Sequence, residues 1–160
     1  RFSGGTFRLE YYTVPELEKI IARSATVLGI NLDNKALTEI AVRSRSTPRT
    51  ANYFLKRVRD YAQVNKQDLD EKTIREALAL LGIDEYGLTP TDRNILTILI
   101  DKFNGGPVGL ATLSAASGEE EGTLEEVVEP YLIQQGLLER TPRGRIATKA
   151  AYEHLSFDHE

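Results

Sequence analysis

One segment of this chain is written for a β-hairpin, and it constrains what the remainder can build. In LLERTPRGRIAT (residues 137–148), short runs bearing apolar residues flank a Thr-Pro-Arg-Gly turn, the pattern of two antiparallel strands. A lone hairpin is marginal in water and has to pack against something. Nearly everything else is written at helical spacing. Apolar residues recur at three- and four-residue steps in segment after segment, most of them opened by a capping residue or closed by a glycine. The expected fold is therefore mainly α, with one hairpin seated on helices.

TVPELEKIIARSATVLG opens with Thr13, has Glu16 three residues on as the second half of a capping box, and carries Pro15 in its first turn. Leu17, Ile20, Ile21, Ser24, Val27 and Leu28 fall on one face, and Gly29 ends the helix. NKALTEIAVRS is a second helix, with Leu37, Ile40 and Ala41 inward. STPRTANYFLKRVRDYAQV is a third, capped by Ser46 or Thr47, with Pro48 first and a stripe of Ala51, Phe54, Leu55, Val58 and Tyr61 or Ala62. DEKTIREALALLG, from the Asp70 region to Gly82, buries Ile74, Ala77, Leu78 and Leu81. Four amphipathic helices make a small bundle.

A turn-rich boundary, IDEYGLTPTD (Ile83 to Asp92), leads to a second unit. There DRNILTILIDKF turns Ile95, Leu96, Leu99 and Ile100 or Phe103 inward. The bend NGGPVGL, the short helix LATLSAAS and the helix TLEEVVEPYLIQQG follow; Pro130 is expected to kink the last of these or disturb its middle. The hairpin comes next, then a helix at KAAYEHL. Three helices followed by a hairpin is the order of a winged helix-turn-helix module.

Composition removes several classes of function. Hydrophobic residues at 41% and charged residues at 28% suit a globular chain and not a disordered one. No apolar run approaches the roughly 20 residues a membrane span needs, and Arg1 opens no signal-peptide pattern. With no cysteine, disulfides and cysteine-ligated zinc are excluded, which suits a reducing compartment such as the cytoplasm. His154 and His159 have no third ligand nearby in sequence, so no metal site is expected. The net charge of -4 argues against bulk nucleic-acid binding. It leaves a local patch open, because screening confines each patch to about 8–10 Å.

The charges are unevenly placed. The helix before the hairpin carries Glu125, Glu126 and Glu129, preceded by Glu119, Glu120 and Glu121. Carboxylates facing phosphate would repel it, so this helix is not expected to read bases. The hairpin carries Arg140, Arg143 and Arg145, with Lys149 just beyond. Arginines at such a tip can reach backbone phosphates, which positions a protein on DNA without reading sequence. A solvated wing, or one that docks protein, fits the same charges. In RSRSTPRT, Arg49 falls in the first turn of its helix, where a cation opposes the helix dipole by about 0.3–1 kcal/mol. An arginine beside a helix N-terminus suits an anion. Pairing with a Glu or Asp of a neighbouring helix would also account for it.

RSRSTPRTANYFLKRVRDYAQV, GGPVGL, EPYLIQQGLLERTPRGRIAT and the opening LEYYTVPEL together resemble the RuvB family of bacterial Holliday-junction branch-migration motors, from about Arg1 to Leu155. The resemblance implies a four-helix AAA+ lid bundle (residues 13–84) followed by a winged helix-turn-helix domain with a β-hairpin wing (85–160). Residues 1–12 would be the end of, or the hinge from, a large ATPase domain that is missing. The sequence has no G-x-x-x-x-G-K-[ST] loop and no acidic Walker B strand, so the chain by itself is expected not to hydrolyse ATP.

Roles follow from the same resemblance. Arg49 of the TPR motif resembles the second-sensor arginine that touches nucleotide phosphate. Tyr12 resembles the aromatic that lies against the nucleotide at the hinge. Arg1 resembles an arginine that reaches nucleotide near the subunit interface, although Ser3 to Gly5 make its spacing to Tyr12 one residue longer than the family usually has. Arg140, Arg143 and Arg145 resemble the wing residues that contact DNA. Ser46 stands where the family usually has glycine, and Glu121 where some relatives are basic. The implied cofactors are ATP or ADP with Mg²⁺, bound mainly by the missing domain. The implied partners are Holliday junctions and duplex DNA, a RuvA-like junction-binding protein reached through the missing domain, and further copies of the intact protein in a homo-hexamer. No membrane is implied, and the expected setting is the bacterial cytoplasm. The rival expectation is a stand-alone winged-helix protein, either a DNA-binding regulator or a protein-docking adaptor.

Overall fold

The computed structural model describes residues 11–156, so Arg1, Ser3 to Gly5 and His159 lie outside the described residues. The chain divides into two units, Arg1–Gly87 and Leu88–Glu160.

The first unit is built from α1 (Val14–Leu28), α2 (Asn34–Val42), α3 (Pro48–Asn65) and α4 (Glu71–Leu80). Their starts are set locally. The Thr13 hydroxyl accepts from the Glu16 N–H at 3.3 Å, and the Glu16 carboxylate accepts from the Thr13 N–H at 2.9 Å, closing the capping box. Asp33, Thr47 and Asp70 cap the other three helices with side-chain oxygens. Of the two candidates for the third helix, Thr47 is the cap, and Ser46 stands outside it in a left-handed conformation at φ 59°. The core gathers Leu17, Ile21, Ile40, Leu55, Val58, Ile74 and Leu78, each buried almost completely.

On α1 the buried row is Leu17, Ile21 and Ala25 at four-residue steps. That row is narrower than the stripe in the sequence. Ile20 is half-buried, Ser24 is half-buried and donates to Asn52 Oδ1 of α3 at 2.7 Å, and Val27, expected inward, is 79% exposed. The helix meets its neighbours along one i, i+4 ridge, and Val27 lies off that ridge.

The second unit orders α5 (Pro90–Phe103), α6 (Leu110–Ser117), α7 (Glu121–Thr123), a π-helical stretch (Leu124–Val128), α8 (Glu129–Gln134), β1 (Leu138–Thr141), β2 (Gly144–Ala147) and α9 (Lys149–Ser156). Leu88, Ile95, Leu96, Leu99, Leu113, Leu124, Leu132 and Leu138 form its core. The strands pair antiparallel, with Leu138 opposite Ala147, Glu139 opposite Ile146, Arg140 opposite Arg145 and Thr141 opposite Gly144. A two-residue turn, Pro142-Arg143, joins them. The NGGPVGL bend adds a third edge. Val108 and Arg145 exchange backbone hydrogen bonds of 3.0 and 2.7 Å, so the hairpin is pinned from its outer side.

That third edge explains a glycine. Gly144 has φ +135°, and a Cβ there would lie 2.5 Å from the backbone carbonyl of Val108. Gly144→Ala is expected to lose about 2 kcal/mol or more, because both the conformation and the close approach exclude a side chain. Lys66 is the opposite case. It closes α3 at φ 53° with an exposed side chain that bonds to none of the described residues. An L-residue in the left-handed region costs roughly 1–2 kcal/mol, and glycine's extra chain entropy costs about 0.5–1 kcal/mol. Lys66→Gly should therefore stabilise the first unit by about 0.5–1 kcal/mol. Thermal and urea unfolding of the two variants beside the parent measures both effects.

Candidate nucleic-acid and nucleotide sites

The helix that runs from Glu121 to Gln134 contains a proline, and its consequences build the wing. Pro130 has no N–H to give to the preceding turn. The chain widens before it. The Glu129 N–H bonds to the Leu124 carbonyl, five residues back, and a π turn results. In that register the N–H that Pro130 lacks would have served the Glu125 carbonyl. Arg140 Nη2 of β1 donates to that carbonyl instead, at 3.2 Å. The wider turn also rotates less per residue, and it brings Glu129 round to the inner face occupied by Leu124 and Val128.

Glu129 is 0% exposed. Of the three carboxylates expected outward on this helix, it is the one the structure turns in; Glu125 and Glu126 face solvent. Arg140 reaches its Oε1 with Nε at 2.9 Å and with Nη2 at 2.8 Å. Arg145 reaches its Oε2 with Nε at 2.9 Å and its Oε1 with Nη2 at 3.3 Å. The arginines are cross-strand neighbours, an arrangement that repels when nothing lies between the charges. A buried carboxylate is costly unless it is paired and hydrogen-bonded. Each defect resolves the other.

The three wing arginines therefore differ. The Arg145 side chain is 15% exposed and engaged along its inner edge. That of Arg140 is 45% exposed, and Nη1, opposite its paired edge, makes no bond among the described residues. Arg143 stands exposed in the turn, and its side chain has no hydrogen bond or ion pair among the described residues. Lys149 is 91% exposed and 3.9 Å from Glu153.

In the first unit the arginine cluster separates in the same way. Arg43 pairs with Glu39 one turn back at 3.0 Å, and Glu39 is shared with Arg75, which also holds Glu71 at 2.7 Å. Arg45 Nη1 donates to the Gly87 carbonyl at 3.3 Å. Arg49, in the first turn of α3, is exposed, and its side chain bonds to none of the described residues. Tyr12, half-buried, gives its N–H to the Ser46 carbonyl at 2.8 Å, which ties it to the loop three residues before Arg49. Arg1 lies outside the described residues. No group of three or more His, Cys, Asp or Glu able to hold a metal ion occurs among the described residues, and no described helix is long and apolar enough to cross a membrane.

The sequence reading missed the inward role of Glu129. A signal was present: a two-residue turn places Arg140 opposite Arg145, and two facing guanidinium groups call for an anion.

Residues 12–84 match the family described as the RuvB AAA lid domain, and residues 85–156 match the RuvB C-terminal winged helix domain. The chain is 53% identical over 155 residues to a Rubrobacter xylanophilus protein named Holliday junction branch migration complex subunit RuvB, covering 96% of this chain and 44% of that one. It is 54% identical over 151 residues to the Trichormus variabilis protein of the same name, covering 94% and 41%. Among solved structures, the RuvB Holliday junction branch migration motor of Thermotoga maritima superposes with a TM-score of 0.89 at 47% identity, covering 92% of this chain and 50% of that one. The chain thus spans less than half the length of these two curated relatives.

Stability should sort the arginines by their partners. Arg145→Ala is expected to cost the second unit about 2 kcal/mol, since Glu129 loses its more buried partner but keeps Arg140. Arg143→Ala and Arg49→Ala should each stay within about 0.5 kcal/mol of the parent. Urea unfolding of the three variants tests the ranking.

Proposed function

The chain belongs to the RuvB family, and from that premise we propose that it is the lid and DNA-gripping portion of an ATP-driven motor that moves Holliday junctions during recombination and repair. The observation that carries this reading is the unbroken match of both units to proteins named as subunits of the Holliday junction branch migration complex. The active assembly would be a homo-hexamer acting on junction and duplex DNA with a RuvA-like partner, in the bacterial cytoplasm.

In this reading the wing holds DNA through phosphates. Arg143 is the free contact, Arg140 offers its outer edge, and Arg145 sets the hairpin against the helix. A motor that travels over any sequence needs contacts that ignore bases, and arginine–phosphate contacts have that property. Glu125 and Glu126 on the exposed face of the helix repel the backbone, so that face stays off the groove. A single wing is a weak binder, and several wings on one duplex supply the grip.

The lid would meet a nucleotide. Arg49 is exposed and unpaired among the described residues, at a helix start where anions are favoured, and so fits a phosphate. Tyr12, bonded to the loop before Arg49, fits the aromatic neighbour of the base. Mg²⁺ and the reacting phosphates would be held outside the described residues, and the nucleotide when bound supplies the free energy for movement. Phe54, Leu55 and Val58 fix α3 in the lid core, so a displacement felt at Arg49 would move the lid as a body.

Fluorescence anisotropy of this chain on junction and duplex DNA across a salt series tests the wing. Weak, sequence-indifferent binding is expected, and Arg143→Ala should flatten the salt dependence by about 0.9 in log–log slope. Unchanged DNA binding and branch migration by an intact protein lacking Arg140, Arg143 and Arg145 would overturn the reading in favour of a docking wing. In the same intact protein, Arg49→Ala should lower ATP turnover without changing the melting of the lid. This chain by itself should release no phosphate from ATP.

A further inference from the structure

We propose that Glu129 is the wing's built-in competitor for DNA phosphate: it holds Arg145 permanently, releases Arg140 to the DNA, and thereby keeps the grip of each subunit weak. The proposal rests on the reading of the wing as the DNA contact and adds a residue that does not touch DNA.

The geometry gives the two arginines different freedom. Arg145 engages both carboxylate oxygens, at 2.9 and 3.3 Å, and its side chain is 15% exposed. It therefore satisfies Glu129 without help. Arg140 reaches only Oε1, and its side chain is 45% exposed. When Arg140 swings to a phosphate it gives up its bond to the Glu125 carbonyl, on an exposed residue that water can reach, but Glu129 keeps a complete partner and no buried charge is orphaned. Were there one arginine, the same exchange would leave an unpaired carboxylate in the protein. The second arginine makes the exchange possible.

The charge count points the same way. Two guanidinium groups share one fully buried carboxylate, so the triad presents a net +1 where the sequence shows two positive charges. A phosphate arriving at Arg140 has to compete with an anion already at hydrogen-bond distance. Glu125, 4.0 Å from Arg145 Nη2 and exposed, adds a further negative charge on the helix side of the seam. A grip that must open and close at every step gains from such a competitor, because it speeds release.

The test uses this chain, its variants Glu129→Gln and Glu129→Gln/Arg145→Gln, and a duplex of arbitrary sequence across a salt series. Glu129→Gln keeps the shape and one acceptor and removes the charge. It should bind several-fold tighter at low salt, with a salt slope steeper by about 0.9. The double variant restores the parental charge and should return to the parental slope. A residue that only braced the wing would give weaker binding and no steeper slope, and that result would overturn the proposal. The parent itself supplies an independent readout through its arginine Nε–H resonances during DNA titration. Arg140 should shift and Arg145 should stay. Movement of both, or of neither, also overturns the proposal, even where Glu129→Gln fails to fold. Failure of the wing reading looks different: Arg143→Ala would then leave DNA binding unchanged. If Arg143→Ala weakens binding while Glu129→Gln does not strengthen it, only the competitor role of Glu129 falls.

Discussion

A carboxylate with no solvent exposure holds the wing of this protein to its helix. Glu129 is tolerated inside because two guanidinium groups surround it, and the two guanidinium groups tolerate each other because Glu129 lies between them. Remove the proline after it and the helix could run straight, with Glu129 carried toward solvent. Pro130, the π turn, the inward carboxylate and the arginine that caps the freed Glu125 carbonyl form one chain of causes. Leu138 and Ala147 add the apolar share of the same seam, on the strand face that Arg140 and Arg145 occupy.

The lid solves a different problem with similar parts. Its core is apolar and its helix starts are capped, and among its described residues no fully buried charge anchors it. Its arginines are then sorted by reach. Arg43 finds Glu39 one turn away, Arg75 finds both Glu39 and Glu71, and Arg45 finds a carbonyl. The Arg49 side chain, at a helix start, pairs with no described carboxylate. A cation left there is mildly unfavourable until an anion arrives. Its exposed position leaves the core untouched.

Acidic total charge and a basic wing are compatible because charges act locally. Screening at physiological salt limits each patch to about 8 Å. The Arg143 side chain has no ion-pair partner among the described residues, whereas Arg140 and Arg145 already share an internal anion. What a phosphate meets is therefore set by pairing and burial, and a count of arginines overstates it.

The features legible in the sequence are those fixed by near neighbours. The capping box at Thr13 and Glu16, the glycine stops, the amphipathic rows of α3 and α4 and the two-residue turn at Pro142-Arg143 each depend on residues a few positions apart. Helical periodicity and turn chemistry act over that range, so sequence by itself determined the helices, the hairpin and their order. It also set the register that faces Arg140 with Arg145. The tertiary structure alone decided where a residue departs from the face its own segment suggests. Val27 belongs to the apolar stripe of α1 yet lies outward, because neighbouring helices meet a single four-residue ridge. Glu129 belongs to an acidic run yet lies inward, because a π turn shifts the phase of the helix and a hairpin eleven and sixteen residues away brings the cations that make its burial possible. The charge of a residue is written in the sequence. The company it keeps comes from contacts between distant segments, and at Glu129 that company decides between a solvated carboxylate and a buried one that joins the hairpin to its helix.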